Sequence, residues 1–277
     1  MIFESHQLEG NIKDYIEAIF HYKDFEPDHS IERVVPTGHI YLIFELDGFT
    51  RYTYDKETLK PNNTYTEVWV SGMQKDYISI SAHQKSEMFV IQFKPYGAYP
   101  FFHFPIQELN EKIVPATELF GKRILLLRDE ILKNGSPQEK FKVAEDWLNK
   151  RFDQDKVPPI EILEVIEKLA VEPMANYSLV FENYPKTQKH LIDQFKKYVG
   201  LTPKHNQRIL RFNEILQQIY KAEKIEWSQV AYQCEFADQS HFIKEFKYFA
   251  GINPQKFIQN KFHNNEGKNF FPLDRQG

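Results

Sequence analysis
Residues Trp227–Phe257 read WSQVAYQCEFADQSHFIKEFKYFAGINPQKF, and this stretch decides what kind of fold the chain has. The pattern predicts two helices across a tight turn, followed by a stop. A short helix begins near Ser228 and carries the small apolar residues Val230 and Ala231. Ala237 and Asp238 follow the turn. The Asp238 carboxylate suits an N-cap, because it accepts from backbone N–H groups that a first helical turn leaves unpaired. Phe242, Phe246 and Phe249 then recur at i, i+4 and i+7, the spacing of one buried helical stripe. Ser240, Lys244 and Lys247 lie opposite, with His241 beside them. Gly251 ends the helix and Pro254 opens the next segment. A helix with an aromatic back and a polar, cationic front suits the DNA major groove. An ordinary helical hairpin with a solvated face fits the same stretch.

A second copy upstream favours the first reading. Residues 184–205 read YPKTQKHLIDQFKKYVGLTPKH, with Leu191, Phe195 and Tyr198 on the same stripe and Lys189, Asp193 and Lys196 opposite. Phe195, Gly200 and Pro203 have the spacing Phe-x4-Gly-x2-Pro, identical to that of Phe246, Gly251 and Pro254. Such a repeat implies two copies of one supersecondary unit. Between them Ile209, Phe212, Leu216 and Ile219 fall at helical spacing. A helix of about 18 residues there is roughly 27 Å long. It can hold two reading helices about one DNA turn apart, roughly 34 Å.

These residues resemble the AraC/XylS family of transcription regulators over about residues 159–262. The second unit matches at Ala231, Phe236, Asp238, Ser240, Phe242, Phe246, Gly251 and Pro254. The first unit departs at Asp193, where the family usually has a basic residue, and in the segment YSLVFENYPKT before its reading helix. The resemblance implies a C-terminal domain with two helix-turn-helix units joined by a long helix. It also implies a β-rich N-terminal module, often cupin-like, with a small-molecule effector and a homodimer as possible partners beside double-stranded promoter DNA.

The chain has 277 residues, a length that favours two domains. Its single cysteine, Cys234, excludes an internal disulfide and a multi-cysteine zinc site, and reads as a small buried filler. No apolar run approaches a membrane span and MIFESHQLEG is not a secretory leader, so a cytoplasmic protein is expected. The formal net charge is −4, but residues 186–261 carry 13 Lys/Arg against 7 Asp/Glu, a local +6 in an otherwise acidic chain. That asymmetry permits local phosphate neutralisation.

Residues 1 to about 118 read mostly as short strands, which suggests a small antiparallel barrel or sandwich. The overall class is α+β, with helices after the strands and an all-α C-terminal domain. Ile40–Gly48 is an apolar run ending in Asp-Gly, a hairpin signal, with residues 49–55 as its return strand. Residues 66–72 and 76–82 follow, the latter with Ile78 and Ile80 alternating with serines, and 87–97 looks central. Phe101, Phe102 and Phe104 form a short helical turn, and two amphipathic helices follow. The second, Gln138–Arg151, starts at Ser136-Pro137 and either covers the β-module or forms a dimer interface. Asp153–Pro159 is the expected boundary, giving a sensor or dimerisation module at 1–155, a DNA-binding domain at 156–262 and a loose tail at 263–277.

Catalytic chemistry has little support. His39, His83 and His103 lie in the β-module near Glu45 and Glu87, yet none has metal-ligand spacing. A metal-dependent or small-molecule-binding activity in that module is the alternative function. No catalytic residue, metal ligand or cofactor is assigned. Tyr41, Phe44, Trp69 and Phe93 either line an apolar pocket or belong to the core. The reading helices are expected over about 187–198 and 239–249. Base contact falls to Gln239, Ser240, His241 and Lys244 in the second unit, and to Gln188, Lys189 and Asp193 in the first. Asp193 accepts from a base, pairs with a nearby lysine or weakens its unit. Lys186, Lys196, Lys204, Arg208 and Lys247 meet phosphate or brace the fold.

Overall fold
Strand alternation builds the N-terminal half. The computed structural model describes residues 1–182, 184–221, 227, 238–260, 262 and 269–273. The expected helix from Ser228, with Val230, Ala231 and Cys234, and the positions Phe236 and Ala237 lie outside the described residues. Eleven strands are described: β1 Ile2–His6, β2 Ile16–Phe25, β3 Ile31–Val34, β4 Ile40–Glu45, β5 Arg51–Tyr54, β6 Pro61–Tyr65, β7 Val68–Ser71, β8 Ile78–Ser81, β9 Ser86–Phe93, β10 Ile113–Pro115 and β11 Phe270–Pro272. They form two antiparallel sheets, ordered β1-β2-β9-β4-β7-β10 and β11-β3-β8-β5-β6. The module is a sandwich with no closed barrel, because the sheets end on separate edge strands rather than on each other.

Side chains directly opposite in an antiparallel pair share a face. Ile19, Ile91, Leu42 and Val70 are cross-strand partners, fully buried beneath the helices. One residue along, Phe20, Val90, Ile43 and Trp69 are also partners and face the second sheet. The six-stranded sheet is therefore apolar on both faces. This is why Ile40–Glu45 reads as a continuous apolar run. The hairpin expected from Asp47-Gly48 does not form. β4 pairs with β7 and β9, while β5 crosses to the other sheet and pairs with β6 and β8. Arg51, at the start of β5, ties the two sheets there, its guanidinium buried against Glu45 and Asp47.

Helices α1 Tyr99–Phe102, α2 Ala116–Phe120, α3 Arg123–Lys133 and α4 Pro137–Arg151 cover the outer face. The first of the two helices expected after the strands is split at Gly121 into α2 and α3, and the φ of 68° there suits glycine. Ser136 caps α4 in a reciprocal capping box with Glu139. Phe141, Ala144 and Leu148 of α4 are buried, and Phe141 lies 5.5 Å from Phe89 between ring centres. The apolar stripe of α4 thus covers the sandwich, one of the two roles expected for it.

The C-terminal helices are α5 Ile160–Val171, α6 Gln188–Tyr198, α7 Pro203–Lys221, α8 Gln239–Ala250 and α9 Pro254–Gln259. The 19-residue α7 carries fully buried Ile209, Phe212 and Ile219, as its spacing requires. Phe212 joins Phe246 and Phe249 of α8 at 5.5 and 5.0 Å. Each such ring removed from water contributes about 1.5–3 kcal/mol. These helices are also fastened to the sandwich. His205 Nε2 donates to the Lys75 carbonyl at 3.0 Å, Asn213 Nδ2 to the Pro36 carbonyl at 3.1 Å, and Arg33 Nη1 to the Ala250 carbonyl at 3.3 Å. Asn110 Nδ2 donates to the Gly200 carbonyl. Burial pushes the His205 imidazole pKa down, in keeping with a neutral ring whose Nε2–H serves this bond. Phe270 and Phe271, in the segment expected as a loosely held tail in which these two rings could still dock, form β11, which pairs with β3.

Candidate nucleic-acid interface
The second reading helix is held at both ends. Asp238 Oδ1 accepts from the His241 backbone N–H at 2.7 Å, the N-cap expected from sequence. Gly251 closes the C-terminus with a φ of 71°, its N–H donating to the Lys247 carbonyl at 2.8 Å. A side chain at Gly251 would collide with Arg33 and Tyr77, so this glycine also permits docking on the sandwich. Phe242, Phe246 and Phe249 are buried, while Gln239, Ser240, His241, Lys244 and Lys247 are all exposed. The helix therefore presents one polar, cationic face from a fixed aromatic base. Trp227 adds to that base, 5.8 Å from Phe242.

Arg208 of α7 braces this helix. Its Nε and Nη2 donate to the two oxygens of Glu245 at 2.7 and 2.9 Å, and its guanidinium sits 4.8 Å above Tyr248. The Glu245 bonds hold its pKa above the ordinary arginine value despite burial. The sequence left Arg208 between phosphate contact and brace, and in the structure its guanidinium is engaged by Glu245. Glu245 gave no sequence signal, since its partner lies 37 residues away.

The first unit is assembled similarly. Thr187 Oγ1 caps α6 by accepting from the His190 N–H at 3.2 Å, and Tyr184 Oη meets His190 Nδ1 at 2.8 Å. Leu191, Phe195 and Tyr198 are buried, Gln188, Lys189 and Asp193 are exposed, and Lys196 is half-buried. Lys197 is drawn away from the reading face, over Tyr99 and Tyr198 at 4.9 Å each. Asp193 makes no ion pair with a lysine among the described residues.

The histidines of the sandwich are not brought together. His39 Nδ1 bonds the Phe93 carbonyl, His83 Nε2 meets Ser81 Oγ, and His103 Nε2 bonds the Pro100 carbonyl. No group of three or more potential metal ligands occurs among the described residues.

A cavity of about 160 Å³ lies between the two sheets. Phe20, Tyr22, Tyr41, Ile43, Trp69, Met88 and Val90 line one wall, and Val34, Arg51, Thr53, Ile78 and Ile80 the other. The sequence left Tyr41, Phe44, Trp69 and Phe93 between pocket and core. Tyr41 and Trp69 line the cavity, whereas Phe44 and Phe93 are fully buried core. Ile78 and Ile80 alternate with serines as expected, yet the isoleucines are half-buried and Ser79 is buried, because the isoleucine face is the cavity wall. Burial pushes the Tyr41 hydroxyl up to about 12, so it stays neutral. Glu45 accepts from Arg51 Nε and from Trp69 Nε1, both at 2.8 Å, and Arg51 also pairs with Asp47. The one arginine in the wall is therefore already neutralised.

Comparison with known proteins bears on both halves. Residues 185–260 match the family described as a helix-turn-helix domain, and residues 6–115 match a domain family of unknown function. Residues 185–260 are thus a helix-turn-helix domain of the AraC type, and the N-terminal domain is of an uncharacterised family. No curated protein matches it. Among solved structures it is similar to ToxT from Vibrio cholerae O395, at 13% identity over 86% of this chain and 95% of that one, with a TM-score of 0.43. It is also similar to ToxT from the same strain bound to (E)-4-(8-methylnaphthalen-1-yl)but-3-enoic acid, at 12% identity, 95% and 99% coverage and a TM-score of 0.45. Unsaturated fatty acid bound ToxT from strain SCE256 matches at 14% identity, 91% and 96% coverage and a TM-score of 0.44. No described helix is long and apolar enough to cross a membrane.

Proposed function
We propose that the chain is a sequence-specific regulator rather than an enzyme, with residues 156–262 binding double-stranded promoter DNA and residues 1–155 responding to a small-molecule effector. One observation carries the DNA reading. The α8 helix is capped, braced by Arg208 and backed by three buried phenylalanines, and it exposes Gln239, Ser240, His241 and Lys244 together. Glutamine pairs bidentately with adenine and lysine favours guanine, whereas Lys247 beside them suits phosphate. Gln188, Lys189 and Asp193 contact bases in the first unit, with Asp193 accepting from cytosine, and Lys196 meets phosphate. The apolar cavity supports the effector reading, since ligand sites are concave and mostly apolar with few polar groups.

The test is selection of binding sites from a random duplex pool by the full chain, at two salt concentrations. Two short enriched motifs about one helical turn apart, roughly 34 Å, are expected. Weak binding that salt abolishes, with no enriched motif with or without candidate effectors, removes the sequence-specific reading.

A further inference from the structure
The second wall of the cavity is also the surface on which the second helix-turn-helix unit rests. β3 and β11 pair antiparallel, with Val34 opposite Phe270, Arg33 opposite Phe271 and Glu32 opposite Pro272. Opposite residues share a face and successive residues alternate. Glu32, Val34 and Phe270 line the cavity. Arg33 and Phe271 point the other way, and both are buried. Phe271 stacks on Phe262 at 4.8 Å and meets Phe257 of α9 at 5.4 Å. Arg33 lies 4.2 Å over Tyr77 and bonds the last carbonyl of α8. The ribbon is tied at each end: Val35 N–H donates to the Asn269 carbonyl, and Leu273 N–H to the Ile31 carbonyl. Asn269 Nδ2 further donates to Asn213 Oδ1 on α7 at 3.0 Å.

We propose that Phe270 closes the cavity and contacts its ligand, an uncharged apolar molecule about the size of one aromatic ring, and that the β3–β11 ribbon carries occupancy into the second helix-turn-helix unit. The inference rests on the effector reading above. Size sets the ligand class, because an apolar cavity of about 150 Å³ holds benzene. Charge sets it too. Arg51 is neutralised by Glu45 and Asp47, and Glu32 is bonded to His29 at 2.9 Å, so an ion entering the cavity finds no free counter-charge among the described lining residues. Transmission follows from the pleat. A backbone shift that moves Val34 or Phe270 away from the ligand displaces Arg33 and Phe271 on the opposite face. Those two residues hold the C-terminus of α8 and the aromatic base shared with α9.

The experiment uses the full chain with ethylbenzene as probe, and benzoate and benzylammonium as charged controls. Ethylbenzene is expected to raise Tm, and the ions are not. Amide exchange at residues 246–251 and 270–273 is expected to slow several-fold with ethylbenzene. In Phe270→Ala the affinity for ethylbenzene falls roughly tenfold, an ordinary loss for one ring contact, and the exchange change at 246–251 disappears. Phe270 is 40% exposed, so the variant should fold, and Phe270→Leu should restore most of the response. Equal binding by wild type and Phe270→Ala, or binding without any exchange change at 246–251, overturns this inference and leaves the effector reading standing. If neither ethylbenzene nor either ion alters Tm or exchange at Phe20, Trp69 and Val90, the cavity is not a small-ligand site and both fall together.

Discussion
If Arg208 braces α8 rather than contacting DNA, Arg208→Met and Glu245→Gln should report one shared interaction. The pair makes two charge-assisted bonds, with Arg208 32% and Glu245 16% exposed at the side chain. Hydrogen bonds to charged groups contribute about 1.5–3 kcal/mol when buried. Exposed ion pairs contribute about 0.2–1 kcal/mol. Partial exposure places this pair between them, at about 1–2 kcal/mol. Each single substitution should lower the opening free energy of amides in residues 239–250 by about that amount. The double variant should lose little more than either single one, a coupling of about 1 kcal/mol. Hydrogen exchange under native conditions reads this locally, which matters because global unfolding of a two-domain chain need not be two-state. DNA binding supplies the second readout. A brace leaves the salt slope of binding unchanged, whereas loss of a phosphate contact reduces it by about 1. Additive single effects together with a slope reduced by about 1 in Arg208→Met would refute the brace and restore Arg208 to the phosphate contacts.

Three further outcomes are expected. Lys244→Ala should cost roughly 1–3 kcal/mol on a selected site and relax preference at one position; a uniform loss across sequences, with a smaller salt slope, assigns Lys244 to phosphate instead. Asp238→Ala removes the N-cap of α8 and should cost about 1 kcal/mol, seen as faster exchange at the first-turn amides that carry Gln239–His241, with Asp238→Asn recovering most of it. His29 bonds Asp28 at 2.8 Å and Glu32 at 2.9 Å; burial opposes its charge, but these bonds prevail and its pKa is raised. A raised folded pKa means the contribution is fully present below the ordinary histidine value, about 6.5, and is lost as pH rises through the folded value. Urea midpoints of wild type and His29→Gln should therefore differ at pH 5.5 and converge by pH 9; a gap that widens with pH contradicts the assignment.

The sequence alone determined the features set by local periodicity. The repeated Phe-x4-Gly-x2-Pro spacing carries its own reason, since it places an aromatic stripe, a left-handed stop and a restart within nine residues of one chain segment. Asp238, Ser136-Pro137 and the α7 stripe are legible for the same cause: a helix satisfies its backbone bonds within itself, so its signals are contiguous. The exposed front of α8 was legible as the complement of its buried back. The sandwich was less so. Its strands were visible at Ile40–Glu45 and Ser86–Phe93, but their partners were not, because a strand bonds to whichever strand lies beside it. Hence the Asp47-Gly48 hairpin reading failed, Ile16–Phe25 was not singled out although it lies between β1 and β9, and Phe270–Pro272 was placed in a loosely held tail. Only the tertiary structure decided that Tyr41 and Trp69 face a cavity while Phe44 faces the core, and that Arg208 belongs to Glu245 and Arg33 to the end of α8. Those are contacts between residues far apart in the chain, fixed by the packing of finished elements rather than by any spacing along it.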